Sequence, residues 1–253
     1  MLSYRMKQIA ECVTAGNRLA DIGTDHAWIP IYLVEQGVVP RAYALDVGEG
    51  PLKRAKENVN KHGLSKSIDC RLSDGFDKLS DSEVDSIIIA GMGGALIARI
   101  LERARDTFAG NKELILQPQS ECYKVRKVLH QLQYQIVEER FFIDDGKYYN
   151  VIKALPGVQH FTKDWQYQYG VYLPKERNEC FKQFLLEKQR KLITIKEKLS
   201  LSESKDIALK TKNRLWAITE ELEEIEQCLA GFYEEKAAEE VYAVTKGSKE
   251  KML

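Results

Sequence analysis

Short apolar runs that alternate with polar, helix-forming stretches are the feature that most constrains the fold of this chain. Five runs have strand character, and segments such as GPLKRAKENVNKHG lie between them. Strands joined by helical crossovers run parallel, so the pattern predicts an α/β fold whose sheet is covered by helices. The five runs are RLADIG (18–23), AYALDV (42–47), SIDCRLS (67–73), VDSIIIAG (84–91) and ELILQP (113–118).

Two further runs, YQIVEERFFIDD (134–145) and YYNVIKAL (148–155), follow closely on one another. The connection around Gly146 and Lys147 is too short to contain a crossover helix. We therefore expect an antiparallel hairpin at the edge of the sheet. Parallel strands followed by a terminal hairpin predict a doubly wound sheet.

The pattern changes to that of helices from roughly Pro174 to Glu240. Apolar positions recur at alternating steps of four and three residues in two stretches, which SLSESKD (200–206) separates. This spacing predicts an antiparallel helical hairpin, or coiled coil. The stripe positions are Phe181, Leu185, Lys188, Leu192, Ile195 and Leu199, then Leu215, Ile218, Leu222, Ile225, Leu229 and Phe232.

These patterns divide the chain into an α/β domain, 1–157, and a helical domain, 158–253. A hairpin packed on itself, with solvated charged flanks, is the simpler interpretation, and a helix that binds a partner is the alternative. We expect the tail TKGSKEKML (245–253) to be frayed.

Composition narrows the class of protein. Of 253 residues, 44% are hydrophobic and 30% are charged, as in soluble globular proteins. The five cysteines are widely spaced and the four histidines are scattered, so we expect reduced thiols and no metal site. Because Lys+Arg and Asp+Glu balance at 38 each, a nucleic-acid partner would need a local basic face. The apolar stretch 86–98 is too short to span a bilayer, so we expect a cytoplasmic protein without membrane contact.

The turn DIGTDHAWIP (21–30) follows the first predicted strand, where doubly wound sheets bind nucleotides. A dinucleotide fingerprint would need glycines where Asp25 and Trp28 stand, and a carboxylate repels a pyrophosphate. S-adenosylmethionine has no phosphate and has a cationic sulfonium and an amino group. Acids such as Asp21 and Asp25 beside Gly23 therefore favour this cofactor over NAD.

Two later strand ends carry compatible signals. Asp46 lies 23 residues after Gly23, near the spacing of about 20 at which an acid meets ribose hydroxyls. Asp74 and Gly75 follow the third strand, where a carboxylate and a backbone N–H suit the edge of an adenine. Each signal has a structural alternative, because Asp21 and Asp46 can cap helices and Asp74-Gly75 can be a turn.

The fourth strand ends in IIIAGMGG (87–94). Its glycines either allow tight packing at a helix N-terminus or line a methyl-transfer pocket that has room for a planar substrate. The segment is not the Asn/Asp-Pro-Pro-Tyr pattern of enzymes that methylate exocyclic amino groups, which argues for another nucleophile.

The chain resembles the bacterial TrmK family, the tRNA (adenine-22-N1)-methyltransferases, among the Rossmann-like class I S-adenosylmethionine-dependent methyltransferases. The resemblance rests on LSYRMKQIA, ADIGTDHAWIPIYL, ALDVGEGPLKRAKEN, RLSDGF, IIIAGMGG, LILQPQ and GKYYNVIKA. It implies a tRNA substrate and a cofactor site at Asp21, Gly23, Thr24, Asp25, His26, Asp46, Val47, Ser73, Asp74, Gly75, Gly91, Met92 and Gly93.

The substrate imposes its own requirements. Adenine N1 has an in-plane lone pair, so attack on a methyl group needs positioning more than a strong base. N1 lies on the Watson–Crick edge, so the base must be unpaired or flipped out. Candidates for RNA contact are Arg5, Lys7, Lys147 and Tyr149.

Asp25 is the candidate for a catalytic role, although binding of the cofactor's amino group is the favoured interpretation. For His26, a helix cap or a packing residue is favoured over catalysis. The alternative functions are a class I methyltransferase acting on a small molecule or a protein, and an RNA-binding relative without activity. We expect a monomer.

Overall fold

The computed structural model describes residues 2–105, 112–201 and 209–233. The chain divides into two compact units, one up to Phe161 and one from Thr162 onward. The predicted tail (245–253) and most of the predicted connection between the long helices lie outside the described residues.

A seven-stranded sheet forms the centre of the first unit, in the order β3-β2-β1-β4-β5-β7-β6. The first five strands run parallel and β7 is antiparallel to both β5 and β6, which confirms the predicted doubly wound sheet with a hairpin at its edge. The strands are β1 (Leu19–Ile22), β2 (Ala42–Asp46), β3 (Ile68–Leu72), β4 (Ser86–Met92), β5 (Glu113–Pro118), β6 (Tyr134–Asp144) and β7 (Lys147–Pro156).

α-Helices separate the parallel strands, as the alternating pattern predicts, except between β3 and β4, where the connection contains only a 3-10 turn. Each turns an apolar face toward the sheet; in α3, for example, Leu52, Ala55 and Val59 are buried and the charged residues face solvent. The helices of this unit are α1 (Tyr4–Ala10), α2 (Trp28–Glu35), α3 (Glu49–Lys61), α4 (Gly94–Arg103) and α5 (Cys122–Gln131), with a 3-10 turn at Asp81–Glu83.

The register of the parallel strands brings their carboxyl ends to one edge. Ile22, the last residue of β1, lies between Leu45 of β2 and Ile89 of β4. All three side chains are buried, and β1 is buried along its whole length. The chain segments that follow β1, β2 and β4 therefore meet, which is the arrangement that places a ligand site in this fold class.

The second unit contains α6 (Asp164–Tyr169), α7 (Tyr172–Lys175), α8 (Glu179–Leu201) and α9 (Leu209–Ala230). The long helices α8 and α9 pack together, which confirms the predicted helical hairpin. Most apolar stripe positions are buried, but Ile195 is exposed and Cys228, rather than its neighbour Leu229, is fully buried. Lys188 occupies a stripe position by pairing with Glu221, at 2.6 Å.

No helix within 2–105, 112–201 and 209–233 is both long enough and apolar enough to cross a membrane. The same residues contain no group of three or more His, Cys, Asp or Glu side chains arranged to hold a metal ion.

Candidate functional site

The turn after β1 is anchored to β2 through its backbone. The N–H groups of Gly23 and Thr24 both donate to the carbonyl oxygen of Leu45, at 2.7 and 2.9 Å. Gly23 has φ +77°, and a Cβ placed on it would stand 2.0 Å from Cε of Met92. The positive φ therefore favours a glycine here. The contact with Met92 is a weaker constraint, because the end of a flexible methionine side chain can move aside.

The turn enters α2 through a left-handed residue. Ala27 is the N-cap of α2, with φ 56°, and its N–H donates to the Thr24 hydroxyl at 3.1 Å. Because Ala27 occupies this position, the interpretation of His26 as a helix cap is wrong. His26 instead stacks on Trp28, with ring centroids 6.0 Å apart, and its carbonyl accepts from Asn58.

A cavity of about 270 Å³ opens beside this turn. Asp21 lies at its base, where burial raises the pKa of the carboxyl group to about 6; a hydrogen bond with Thr24 lowers that pKa, and the nearby Asp46 raises it. A cationic ligand would favour the ionised form, whereas a phosphate would oppose it. The lining residues are Arg5, Met6, Ile9, Asp21, Gly23, Thr24, Asp25, His26, Ala27, Trp28, Ile29, Ala90, Gly91 and Gln119.

Asp25 differs from Asp21 in exposure and in its partners. Its side chain is 60% exposed and forms an ion pair with Arg54 of α3, and His26 Nε2 lies 3.2 Å from its other oxygen. The sequence gives no signal for Arg54, which is brought to the turn only by the packing of α3. Asp25 is thus an exposed carboxylate at the mouth of the cavity that contacts both Arg54 and His26, whereas Asp21 is buried.

At the end of β2, the carboxylate of Asp46 accepts from the N–H of Gly48 at 2.7 Å. Burial is the main cause that raises its pKa. This hydrogen bond fixes the carboxylate beside the neighbouring turn, and Val47 is 72% exposed next to it. Neither Asp46 nor Val47 is among the described residues that line the cavity holding Asp21, although Asp46 is near enough for its charge to raise the pKa of that carboxyl group.

The segment after β3 lines a different cavity, of about 290 Å³, to which Asp74 and Gly75 belong. Ser73 is occupied within its own turn, since its hydroxyl donates to the Gly75 carbonyl and accepts from the Lys78 N–H. Asp74 is paired with Arg103 of α4 at 2.7 Å. The structure therefore does not bring Ser73, Asp74 and Gly75 into the cavity that holds Asp21.

The end of β4 is shaped by a residue that the sequence analysis missed. Gln117 of β5 is fully buried, and its Oε1 accepts from the Gly91 N–H at 3.1 Å and from Nη1 of Arg5 at 3.0 Å. Gly91 has φ +78° and stands at an irregularity in the pairing of β4 with β5. The signal available in the sequence was a glutamine directly after the apolar residues LIL of the run ELILQP.

Arg5 joins α1 to this region and lines the cavity. Its guanidinium lies 5.5 Å from the ring centroid of Tyr149, which stacks in turn on Phe142. Its backbone N–H donates to Asp144 at 3.0 Å. Lys7 lies on α1 and Lys147 begins β7, and neither is among the described residues that line the cavity.

The remaining glycines of IIIAGMGG have different roles. Gly93 is the N-cap of α4. A Cβ on Gly94 would stand 2.4 Å and 2.5 Å from the carbonyl oxygens of Glu121 and Ser120. Close packing of two loops therefore explains Gly94, whereas Gly91 lines the cavity and Met92 closes against Gly23.

Comparison with known proteins agrees with this arrangement. The family model described as TrmK, tRNA (adenine(22)-N(1))-methyltransferase, matches residues 19–227. A Bacillus subtilis (strain 168) protein of the same description is 38% identical over 185 residues, which cover 71% of this chain and 78% of the relative.

Two solved structures are similar over nearly the whole chain. The B. subtilis M1A22 tRNA methyltransferase TrmK has a TM-score of 0.82 and 32% identity, covering 90% of this chain and 99% of its own. A Streptococcus pneumoniae protein solved in complex with S-adenosyl-L-methionine has a TM-score of 0.76 and 33% identity, covering 90% of this chain and 100% of its own.

Proposed function

Because this chain belongs to the TrmK family of tRNA (adenine(22)-N(1))-methyltransferases, we propose that it transfers a methyl group from S-adenosylmethionine to N1 of an adenosine at position 22, in the D-arm region of tRNA. The observation that carries this proposal is the composition of one cavity. It joins the buried carboxylate of Asp21 and the Gly23 turn to Gly91 near the end of β4 and to Arg5 of α1.

The cofactor side of this cavity is proposed as the turn after β1 together with the end of β2. Asp21 accepts from a cationic group, because its buried carboxylate gains most from a positive partner. Asp46 accepts from ribose hydroxyls, and Gly23 and Thr24 approach the ligand through their backbone. His26, Val47, Met92 and Gly93 complete the proposed contacts. Ser73, Asp74 and Gly75 are proposed for the adenine end, which then lies outside this cavity, beside the separate one that Asp74 and Gly75 line.

When bound, S-adenosylmethionine supplies an electrophilic methyl group. The chain's own contribution is to hold N1 of the adenine in line with that group, to exclude water and to accommodate the cationic product. For Asp25 we propose contact with the cofactor's amino group, with a direct role in the reaction as the alternative. Its carboxylate is already balanced by Arg54.

The target base must leave any pairing before N1 can react. We propose that Arg5 and Tyr149 receive the displaced nucleotide, and that Lys7 and Lys147 contact the surrounding backbone of the tRNA. The Arg5–Tyr149 pair, which Phe142 supports, offers a flat surface with a positive charge, as single-stranded RNA recognition requires.

The two units support a division into a catalytic domain, 1–157, and a helical domain, 158–253. The observed boundary lies at 161/162, four residues beyond the expected one. We propose further that the enzyme acts as a monomer in the cytoplasm, where tRNA is its substrate.

A methyl-transfer assay tests the function. Labelled S-adenosylmethionine is supplied with an unmodified tRNA transcript that has adenosine at position 22, and with the same transcript carrying guanosine there. We expect label only with adenosine. Intact cofactor binding without transfer to either transcript would contradict the proposal and would favour a methyltransferase for a small molecule or a protein.

A further inference from the structure

The cavity contains one position whose chemistry suits the target base rather than the cofactor. Gln119 follows β5, and its backbone N–H donates to the carbonyl oxygen of Met92, the last residue of β4, at 2.8 Å. The side chain is exposed and lines the cavity together with Arg5 and Gly91. Gln119 is therefore held at the end of β4 by its backbone while its amide group faces the open space.

Gly91 forms the floor between two polar side chains. A Cβ placed on Gly91 would stand 3.6 Å from Nη1 of Arg5 and 3.9 Å from Nε2 of Gln119. The glycine thus leaves a slot that a side chain would occupy, and both a guanidinium and an amide lie within van der Waals distance of it. Met92, the next residue, contacts the Gly23 turn, so this slot adjoins the proposed cofactor side.

Recognition of an adenine that reacts at N1 is chemically constrained. N1 must stay free of hydrogen bonds for its lone pair to attack, which leaves the N6 amino group and N7 on one edge of the base, and N3 on another, for recognition. Reading N6 and N7 together requires an acceptor and a donor in one plane, and a glutamine or asparagine amide provides this pair. Arg5 only donates and the carboxylates only accept, so neither type can pair with both atoms.

We propose that Gln119 is the residue that selects adenine, by accepting from N6 and donating to N7 while N1 faces the methyl group. This inference rests on the proposed function and adds the base-reading residue to it. Among the described residues that line the cavity, Gln119 carries the amide that this pairing needs. A guanine in the same orientation presents two acceptors, O6 and N7, so the amide would satisfy only one of them.

Gln117 contrasts with Gln119 two positions away. Both ends of its amide are already engaged, because Oε1 accepts from Gly91 and Arg5 and Nε2 donates to the Pro118 carbonyl at 3.1 Å. Gln117 holds the floor and one side of the slot, and the amide of Gln119 faces the cavity. The two glutamines of QPQ therefore have separate roles, one in positioning and one in recognition.

The test combines a variant with a modified substrate. One transcript carries adenosine at position 22 and the other carries 7-deazaadenosine, in which a C–H group replaces N7. The exchange retains N6 and the N1 lone pair, so a loss of rate is not explained by a weaker nucleophile. Methyl transfer is measured for the wild-type chain, for Gln119→Ala and for the control Gln36→Ala, which removes an exposed amide at the end of α2, outside the cavity.

We expect the wild type and Gln36→Ala to lose about tenfold or more in kcat/KM on the 7-deaza transcript, in line with a bidentate base contact. Gln119→Ala should lose about ten- to a hundredfold on adenosine and less than twofold further on 7-deazaadenosine. Its affinity for S-adenosylmethionine should stay within twofold of wild type, which shows that the variant is folded.

Equal kcat/KM of the wild type on both transcripts would overturn the proposal. So would a Gln119→Ala variant that loses as much kcat/KM on changing from adenosine to 7-deazaadenosine as the wild type does. Either outcome would leave the methyltransferase activity itself intact. Failure of the proposed function is a different result, namely no transfer by the wild type to the adenosine transcript.

Discussion

The two sides of the cavity are built in different ways. The side formed by the β1 turn depends on neighbours in sequence, since Asp21, Gly23, Thr24 and Ala27 lie within seven residues. The side formed by the end of β4 depends on Arg5, Gly91 and Gln117, which come from α1, β4 and β5. The first side is a local turn with a buried acid, and the second is a network of side chains brought together by the fold. Variants on the two sides should therefore affect cofactor and substrate separately.

The largest effect is expected on the cofactor side, from Asp21→Asn. The variant keeps the shape but removes the charge that a cationic ligand would meet, so affinity for S-adenosylmethionine should fall about a hundredfold, or about 3 kcal/mol. Thermal unfolding should show an equal or higher midpoint, because the variant also removes a buried carboxylate that burial destabilises in its ionised form. Isothermal titration calorimetry measures the affinity for the cofactor, and differential scanning calorimetry measures the midpoint of thermal unfolding.

Asp69→Asn is the control, since it changes a partly exposed acid of β3 that pairs with Arg71 and lies outside the cavity. Its cofactor affinity should equal that of the wild type. A normal affinity in Asp21→Asn would contradict the assignment of this side to the cofactor.

On the other side, Gln117→Leu should reduce methyl transfer while leaving cofactor affinity within about twofold. It leaves the Gly91 N–H and the Arg5 guanidinium without their shared acceptor, which costs about 1.5–2.5 kcal/mol, or ten- to sixtyfold in kcat/KM for tRNA. Gln117→Glu retains an acceptor for both donors and should recover part of the rate. Equal rates for the Leu and Glu variants would argue that Gln117 only fills space.

This contrast also explains what could be predicted from the sequence. The strands, their parallel direction and the terminal hairpin follow from local periodicity. The Asp21–Gly23 turn follows from a short motif. Arg54 pairs with Asp25, 29 positions away, and Gln117 accepts a hydrogen bond from Arg5, 112 positions away. A local sequence pattern therefore cannot reveal either contact. Of the two structural alternatives for His26, a cap or a packing residue, the structure shows packing on Trp28; the cap is Ala27, in a left-handed conformation that alanine rarely takes.

The pH dependence of cofactor affinity tests the role of Asp21 on the cofactor side without a change of sequence. Burial raises its pKa to about 6 in the folded chain, and cation binding requires the ionised carboxylate. Affinity for S-adenosylmethionine should therefore decrease about tenfold between pH 7 and pH 5, because the proton must be released before the ligand binds. Asp21→Asn should lose this dependence.

Stability should change in the opposite direction. Because the folded pKa lies above the unfolded value of about 3.9, the protonated group favours folding. Its contribution is fully present below that value and is lost as the pH rises through about 6. Urea unfolding of the unliganded chain at several pH values, compared with Asp21→Asn, isolates this contribution. If the free energy of unfolding changed with pH in the same way for the wild type and the variant, the raised pKa assigned to Asp21 would be contradicted.

The smallest effect should come from Arg54→Ala at the mouth of the cavity. Both partners of the Asp25–Arg54 pair are about half exposed, so the ion pair contributes at most about 1 kcal/mol and cofactor affinity should change by less than about threefold.

Asp25→Asn then separates the two roles proposed for that residue. If Asp25 contacts the cofactor's amino group, the variant raises the Kd for S-adenosylmethionine and leaves kcat at saturating cofactor unchanged. If Asp25 takes part in the reaction, kcat falls at saturation, and Asp25 would then serve the substrate side despite lying in the local turn.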